Sequence, residues 1–285
     1  RRTKITVPTE EVEYTEEDFI VAENCHVMVT VDGWVKRQKL IADPSKSRLR
    51  QGDQVLACVA GNTRETIAFF SSLGVCYTAR MQDIPASTGF GEPIQKLFKF
   101  KDGERIVAAL SFDPRVIGNI SEDPKGVYYP ETHALAVSSD GYSLRFGLPS
   151  FAEPSTRAGR RFARLTAGAS IVDVVTVHGT ETVLAVSADA RAMVCPVDEV
   201  NYLSGAGKGV LLIKLANTDR LLGFKTSIAD RDLMTVVTNR GAKKTISTAK
   251  YRTTSRGGRG IELQKNGKIA EIVQAPIEPP TNFDE

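Results

Sequence analysis

The sequence predicts an all-β chain built as an array of about five sheet modules, and three observations predict it. Five segments share one pattern: an apolar run, a turn and a second strand-like run. A small loop that leads into another apolar strand recurs about 17 to 19 residues after each turn. No segment carries a sustained 3.6-residue apolar period with caps, apart from a short turn over 10–19.

The first hairpin is HVMVTVDGWVKRQ from His26, turning at Gly33, and its loop is SRLRQGDQVLA with Gly52. The second, TIAFFSSLGVCYTAR from Thr66, turns at Gly74 and is followed by STGFGEPIQKL with Gly91. Residues 101–132 are rich in Gly, Pro and polar side chains, and read as one strand plus a long surface loop. The third hairpin, HALAVSSDGYSLRF from His133, turns at Gly141 and leads to STRAGRRFARL with Gly159. The fourth, TVLAVSADARAMVCP from Thr182, has Ala190 where the others have glycine, and its loop is LSGAGKGVLLIKL, anchored at Gly207. The fifth, DLMTVVTNRGAKKTIS from Asp232, turns at Gly241 and precedes SRGGRGIEL, which holds Gly257, Gly258 and Gly260 and is anchored at Gly258. Turn-to-turn steps of about 41, 67, 49 and 51 residues suit a propeller-like or solenoid stack of units that bury their apolar faces on one another. The acidic segment 1–24 is expected to pack on the array 25–274, and the Pro-rich acidic tail 275–285 to be extended or disordered.

The 285 residues are 41% hydrophobic and 25% charged, with a net charge of +3, an ordinary globular balance. No apolar run is long enough for a membrane span. Cys25, Cys58, Cys76 and Cys195 lack metal spacing and read as reduced, mostly buried thiols of a cytosolic protein. His26, His133 and His178 belong to no metal or nucleophile motif and read as structural. GAGKGV from Gly205 lacks the spacing and the Ser/Thr of a nucleotide-binding loop.

Charge is unevenly placed, which matters more than its sum. Residues 9–23 carry seven acids and no base, whereas 34–52 carry six bases and one acid. Residues 154–172 carry four arginines and no acid, and 233–261 carry seven bases and no acid. These islands fall in units one, three and five. Their cations are candidates for phosphate contact, which gives affinity without reading sequence. They are Lys36, Arg37, Lys39, Lys46, Arg48 and Arg50; Arg157, Arg160, Arg161 and Arg164; and Lys243, Lys244, Lys250, Arg252, Arg256 and Arg259. Arg80, Lys96 and Lys208 are the weaker candidates of units two and four. Strand alternation sends Lys36 and Arg37 to opposite faces. In SRGGRG the bare backbone and both guanidiniums can meet phosphates together, and the same glycines can serve strand exchange between modules.

VTVDGWVKRQKL, FFSSLGVCYTARMQDIPASTGFGEPI and SRGGRGIEL resemble the C-terminal domain of the A subunit of bacterial type IIA DNA topoisomerases, over about 27–273. The resemblance implies a β-pinwheel of about five four-stranded blades with DNA along its rim. It implies as partners duplex DNA, the ATPase subunit of the full enzyme and the breakage-reunion region that precedes the domain. It also implies a cytoplasmic, nucleoid-associated setting. It implies no cofactor and no catalytic residue in this chain, the cleaving tyrosine lying in a region N-terminal to the domain. SRLRQGD lacks the paired glycines of the basic box that gyrase carries in its first blade. With five units rather than six, this resembles topoisomerase IV more than gyrase, so presentation of segments for strand passage is expected ahead of supercoiling by wrapping. Two rivals of other classes are a protein-interaction propeller, disfavoured by the basic islands, and a propeller enzyme, disfavoured by the unlike placing of the histidines.

Overall fold

The computed structural model describes residues 20–123, 125–126, 128–228, 234–265 and 267–284. Among the described residues five sheets follow one another along the chain, each forming a blade, and all their pairings are antiparallel except that of Tyr202–Leu203 with Tyr142–Phe146. Blade 1 runs Val55–Asn62, Asn24–Thr30, Trp34–Gln38, Glu92–Pro93 in spatial order, and blade 2 runs Ile106–Ser111, Thr66–Ser71, Val75–Arg80, Arg160–Arg161. Blade 3 is built on Ile171–Val177, His133–Ser138 and Tyr142–Phe146, flanked by Tyr202–Leu203 and Val210–Leu211. Blade 4 runs Leu221–Ser227, Thr182–Ser187, Arg191–Pro196, Ile261–Glu262. Blade 5 has three strands, Lys243–Ile246, Met234–Thr238 and Ile269–Ile272. The expected pattern of about five four-stranded blades is present: among the described residues three sheets have four strands, blade 3 has five and blade 5 has three.

The five hairpins form where β-branched and apolar runs flank a residue able to take positive φ. Gly33, Gly74, Gly141 and Gly241 do so at 76–84°, and Ala190 follows at 55°, a conformation costing an L-residue about 1–2 kcal/mol. Val55–Asn62, Ile106–Ser111, Ile171–Val177, Leu221–Ser227 and Ile269–Ile272 touch in succession from blade to blade and form the hub. The short fourth strands lie at the opposite edge and form the rim. Each rim strand is delivered by the loop of the following unit, so adjacent blades are clasped together. Four apolar clusters fill the spaces between blades.

Of the acidic segment, residues 1–19 lie outside the described residues, as does the turn expected over 10–19. Residues 20–23 run along blade 1, where Thr63 donates to the Val21 carbonyl (2.6 Å) and Arg64 to that of Ile20 (2.8 Å). The tail is extended and packed. Residues 274–279 line a hub cavity of about 1390 Å³ together with Leu56, Val107 and Asp173. Beyond it, His26 Nε2 meets the Thr281 carbonyl (3.1 Å), Asn24 donates to Asp284 (2.6 Å), and the Arg115 guanidinium lies 3.8 Å from the Phe283 ring centre. His26 Nδ1 also accepts from Ile41 N (2.9 Å), which places this histidine in the framework. All four cysteines are free, and burial pushes the thiols of Cys58, Cys76 and Cys195 up to about 12.

Candidate nucleic-acid interface

Four clasps repeat one geometry. A glycine at positive φ (Gly91, Gly159, Gly209, Gly260) precedes two residues that pair with the preceding blade. The next residue buries its side chain there: Ile94, Phe162, Leu212 and Leu263. Their N–H groups donate to the carbonyls of Gly33, Gly74, Gly141 and Ala190 at 2.8–2.9 Å, so each knob locks onto the turn of the blade before it. Phe162 stacks on Phe146 (5.1 Å) and meets Phe70 edge-on (5.2 Å). Burial of such a ring contributes about 3 kcal/mol.

The clasp glycines are needed because backbone approaches backbone. A Cβ on Gly91 would strike the Val35 carbonyl, on Gly209 that of Ser143, and on Gly260 that of Ala192. On Gly159 it would lie 2.6 Å from Val75 Cγ1 and 2.7 Å from the Cys76 carbonyl. The anchors of units four and five are thus Gly209 and Gly260, two residues beyond Gly207 and Gly258. Gly52 clasps nothing, with open space where its Cβ would sit. Successive loops also bond to one another. Lys99 N donates to Arg157 O (2.7 Å), Arg164 N to Gly207 O (2.9 Å), and Lys214 N to Gly258 O (2.8 Å).

The clasps align a cation that the islands only partly reveal. Five residues after each clasp glycine stand Lys96, Arg164, Lys214 and Lys265, all exposed. Gly-x-x-Φ-x-[Lys/Arg], with Φ the buried knob, is the signal that brings out Lys214 and Lys265, which the charge islands do not contain. Lys96 is held 3.0 Å from Glu92.

The structure divides the sequence candidates. Lys39, Lys46, Arg48, Arg50, Arg157, Arg161, Arg164, Lys208, Lys243, Lys250, Arg252 and Arg259 are exposed. Lys46 pairs with Asp43 (3.1 Å), Arg157 donates to Lys96 O (3.4 Å), and the Lys208 ammonium lies 3.7 Å from the Tyr142 ring centre. Others are turned inward. Lys36 is 2% exposed, donates to Arg48 O (2.9 Å) and Gly89 O (3.0 Å), and burial lowers its pKa. It occupies the place of Tyr77, Leu144 and Met193, three residues past the turn, where blades 2 to 4 bury apolar or aromatic side chains; blade 5 has the half-buried Lys244 there. Arg256 donates from its backbone to Glu199 Oε2 (2.8 Å) and from Nε to Glu199 O (2.7 Å), so its guanidinium ties the clasp to blade 4. Arg160 holds the carbonyls of Glu153 (2.6 Å) and Pro154 (3.0 Å), and Lys244 holds Leu263 O. Arg37 and Arg80 are half-buried and reach the carbonyls of Ile84 (3.3 Å) and Arg64 (3.2 Å). These cations spend their donors on backbone carbonyls of the protein itself.

Fold and rim together define a β-propeller of clasped blades with a recurrent basic edge. The chain belongs to the DNA gyrase C-terminal domain, beta-propeller, family, whose model matches residues 65–113, 132–178, 181–227 and 232–273. Among curated relatives it is 27% identical over 288 residues to the DNA gyrase A protein of Haloquadratum walsbyi (95% of this chain, 32% of that protein). It is 27% identical over 289 residues to the Salmonella typhimurium counterpart (96% and 31%). The chain therefore spans about a third of these relatives. Among solved structures, the C-terminal domain of DNA topoisomerase IV superposes with a TM-score of 0.77 at 20% identity, covering 90% of this chain and 79% of that one. The DNA gyrase A C-terminal domain gives 0.59 at 20% identity, covering 89% and 83%. No described helix is long and apolar enough to cross a membrane.

Proposed function

We propose that the domain binds and bends duplex DNA along its rim without reading sequence, and presents segments for strand passage by a type IIA topoisomerase. The observation that carries the reading is the ring of equivalent cations at Lys96, Arg164, Lys214 and Lys265, set by the clasps at one position per blade junction. Phosphates recur at fixed spacing along a duplex, and repeated point charges meet them with no base contact. The inward turn of Lys36, Arg160, Lys244 and Arg256 removes cations from units one, three and five. Engagement is therefore more even around the rim than the islands suggest. Partners in this reading are duplex DNA, the breakage-reunion region and the ATPase subunit; the setting is the bacterial cytoplasm.

The degenerate first loop, whose Gly52 clasps no blade, supports topoisomerase IV-like presentation of crossings. The named gyrase relatives favour the second reading, wrapping that drives negative supercoiling. Binding of a random duplex across a salt series tests the shared claim, and a flat salt response refutes it. Relaxing a closed circle in the presence of the domain separates the two readings: a large, stoichiometric change in linking number supports wrapping, and a small one supports presentation.

A further inference from the structure

Blade 1 carries a feature that the other clasps lack. The residue before the clasp glycine is Ala158, Lys208 or Arg259 in units three to five, but Phe90 in unit two, and 45% of it is exposed. The Arg48 guanidinium carbon lies 5.6 Å from the Phe90 ring centre. Two residues along the same loop, Arg50 covers the half-buried Trp34 at 4.6 Å. Both arginines come from the first-unit loop and Phe90 from the second-unit loop. Buried Lys36 fixes the two loops together through Arg48 O and Gly89 O. The outcome is an exposed aromatic with one guanidinium at its ring, a second guanidinium two residues along the same first-unit loop, and a loop backbone tied down by the buried Lys36.

We propose that Phe90 is a wedge that enters a base step of the bound duplex and kinks it at blade 1, with Arg48 and Arg50 holding the flanking phosphates. The inference rests on the duplex-binding reading above and adds the place and means of bending. An apolar side chain inserted between base pairs unstacks them and bends the duplex, and cations beside it neutralise the phosphates that the bend crowds together. A step that is already unstacked needs less energy to admit the ring, so DNA with a central mismatch is favoured over matched DNA.

The test measures binding of one short duplex, matched or with a central two-base mismatch, by fluorescence anisotropy, and end-to-end distance by energy transfer. The parent, Phe90→Ala and Phe90→Leu are compared. The parent is expected to bind the mismatched duplex about tenfold tighter than the matched one and to shorten its end-to-end distance. Phe90→Ala is expected to bring the ratio near one and reduce the bend, with the salt slope on matched DNA unchanged. Phe90→Leu keeps most of the preference, because leucine also wedges. Binding of matched duplex with no preference for the mismatch, or a preference that survives Phe90→Ala, overturns the wedge and leaves the duplex-binding reading standing. Equal loss of both affinities in Phe90→Ala also overturns it, showing an ordinary contact. Failure of the parent to bind either duplex overturns both.

Discussion

Replacing the two arginines of SRGGRG one at a time separates scaffold from surface. Arg256→Ala removes the Nε bond to Glu199 O and the weaker bond from the guanidinium to Leu211 O (3.3 Å). Hydrogen bonds from a charged group contribute about 1.5–3 kcal/mol each when buried, but Arg256 is half-exposed and the second bond is long. A loss of about 2 kcal/mol is expected, equivalent to a fall in Tm of roughly 3–4 °C for a chain of this size. Arg259 is exposed, so Arg259→Ala should leave Tm within about 1 °C, as surface changes do. On duplex DNA the order reverses. Arg259→Ala should reduce the log–log salt slope by about 0.9 if the residue meets one phosphate, and Arg256→Ala should leave it unchanged. Calorimetry and a salt series of binding isotherms on the same preparations give both numbers. Equal melting of the two variants, or a salt slope changed by Arg256→Ala alone, would refute this division of roles.

Gly209→Ala drives a Cβ into the Ser143 carbonyl at φ 78°, and should cost well above the roughly 1–2 kcal/mol of left-handed strain. Gly52→Ala at φ 83° meets open space and should cost only that strain, so urea midpoints should separate the two. In the hub, burial pushes the Asp173 carboxyl up to about 7, above its unfolded value, so the native state holds the proton more tightly. Stability from this group is present below the unfolded pKa and is lost as pH rises through about 7. Asp173→Asn should therefore raise Tm by a few degrees at pH 8 and by less at pH 5, and an equal shift at both would count against it.

The hairpins were legible because their causes are local: β-branched runs and a turn residue of positive φ. The clasps were legible only as a repeat. Their rim strands are two residues long and pair with the preceding unit, as Arg160–Arg161 does with Val75 and Cys76. So short a strand has no periodicity to read. GKG and GRG each offer two glycines, and only the neighbouring backbone decides that Gly209 and Gly260 make the close approach. The exposed cations could be named from charge islands, but Lys36 and Arg256 could not be separated from them. What turns them inward is a set of carbonyls brought close by the fold. The ring of Lys96, Arg164, Lys214 and Lys265 follows once the clasps are aligned on the correct glycines.

The central claim is that the clasp-set cations carry duplex binding. Binding of a random duplex by the variant Lys96→Ala, Arg164→Ala, Lys214→Ala, Lys265→Ala, measured across a salt series beside the parent, tests it most directly. The account predicts a Tm within about 2 °C of the parent, since all four side chains are exposed. It predicts a salt slope reduced by up to about 3.6, with affinity at low salt weakened accordingly. A folded variant that binds with the parental slope would contradict it.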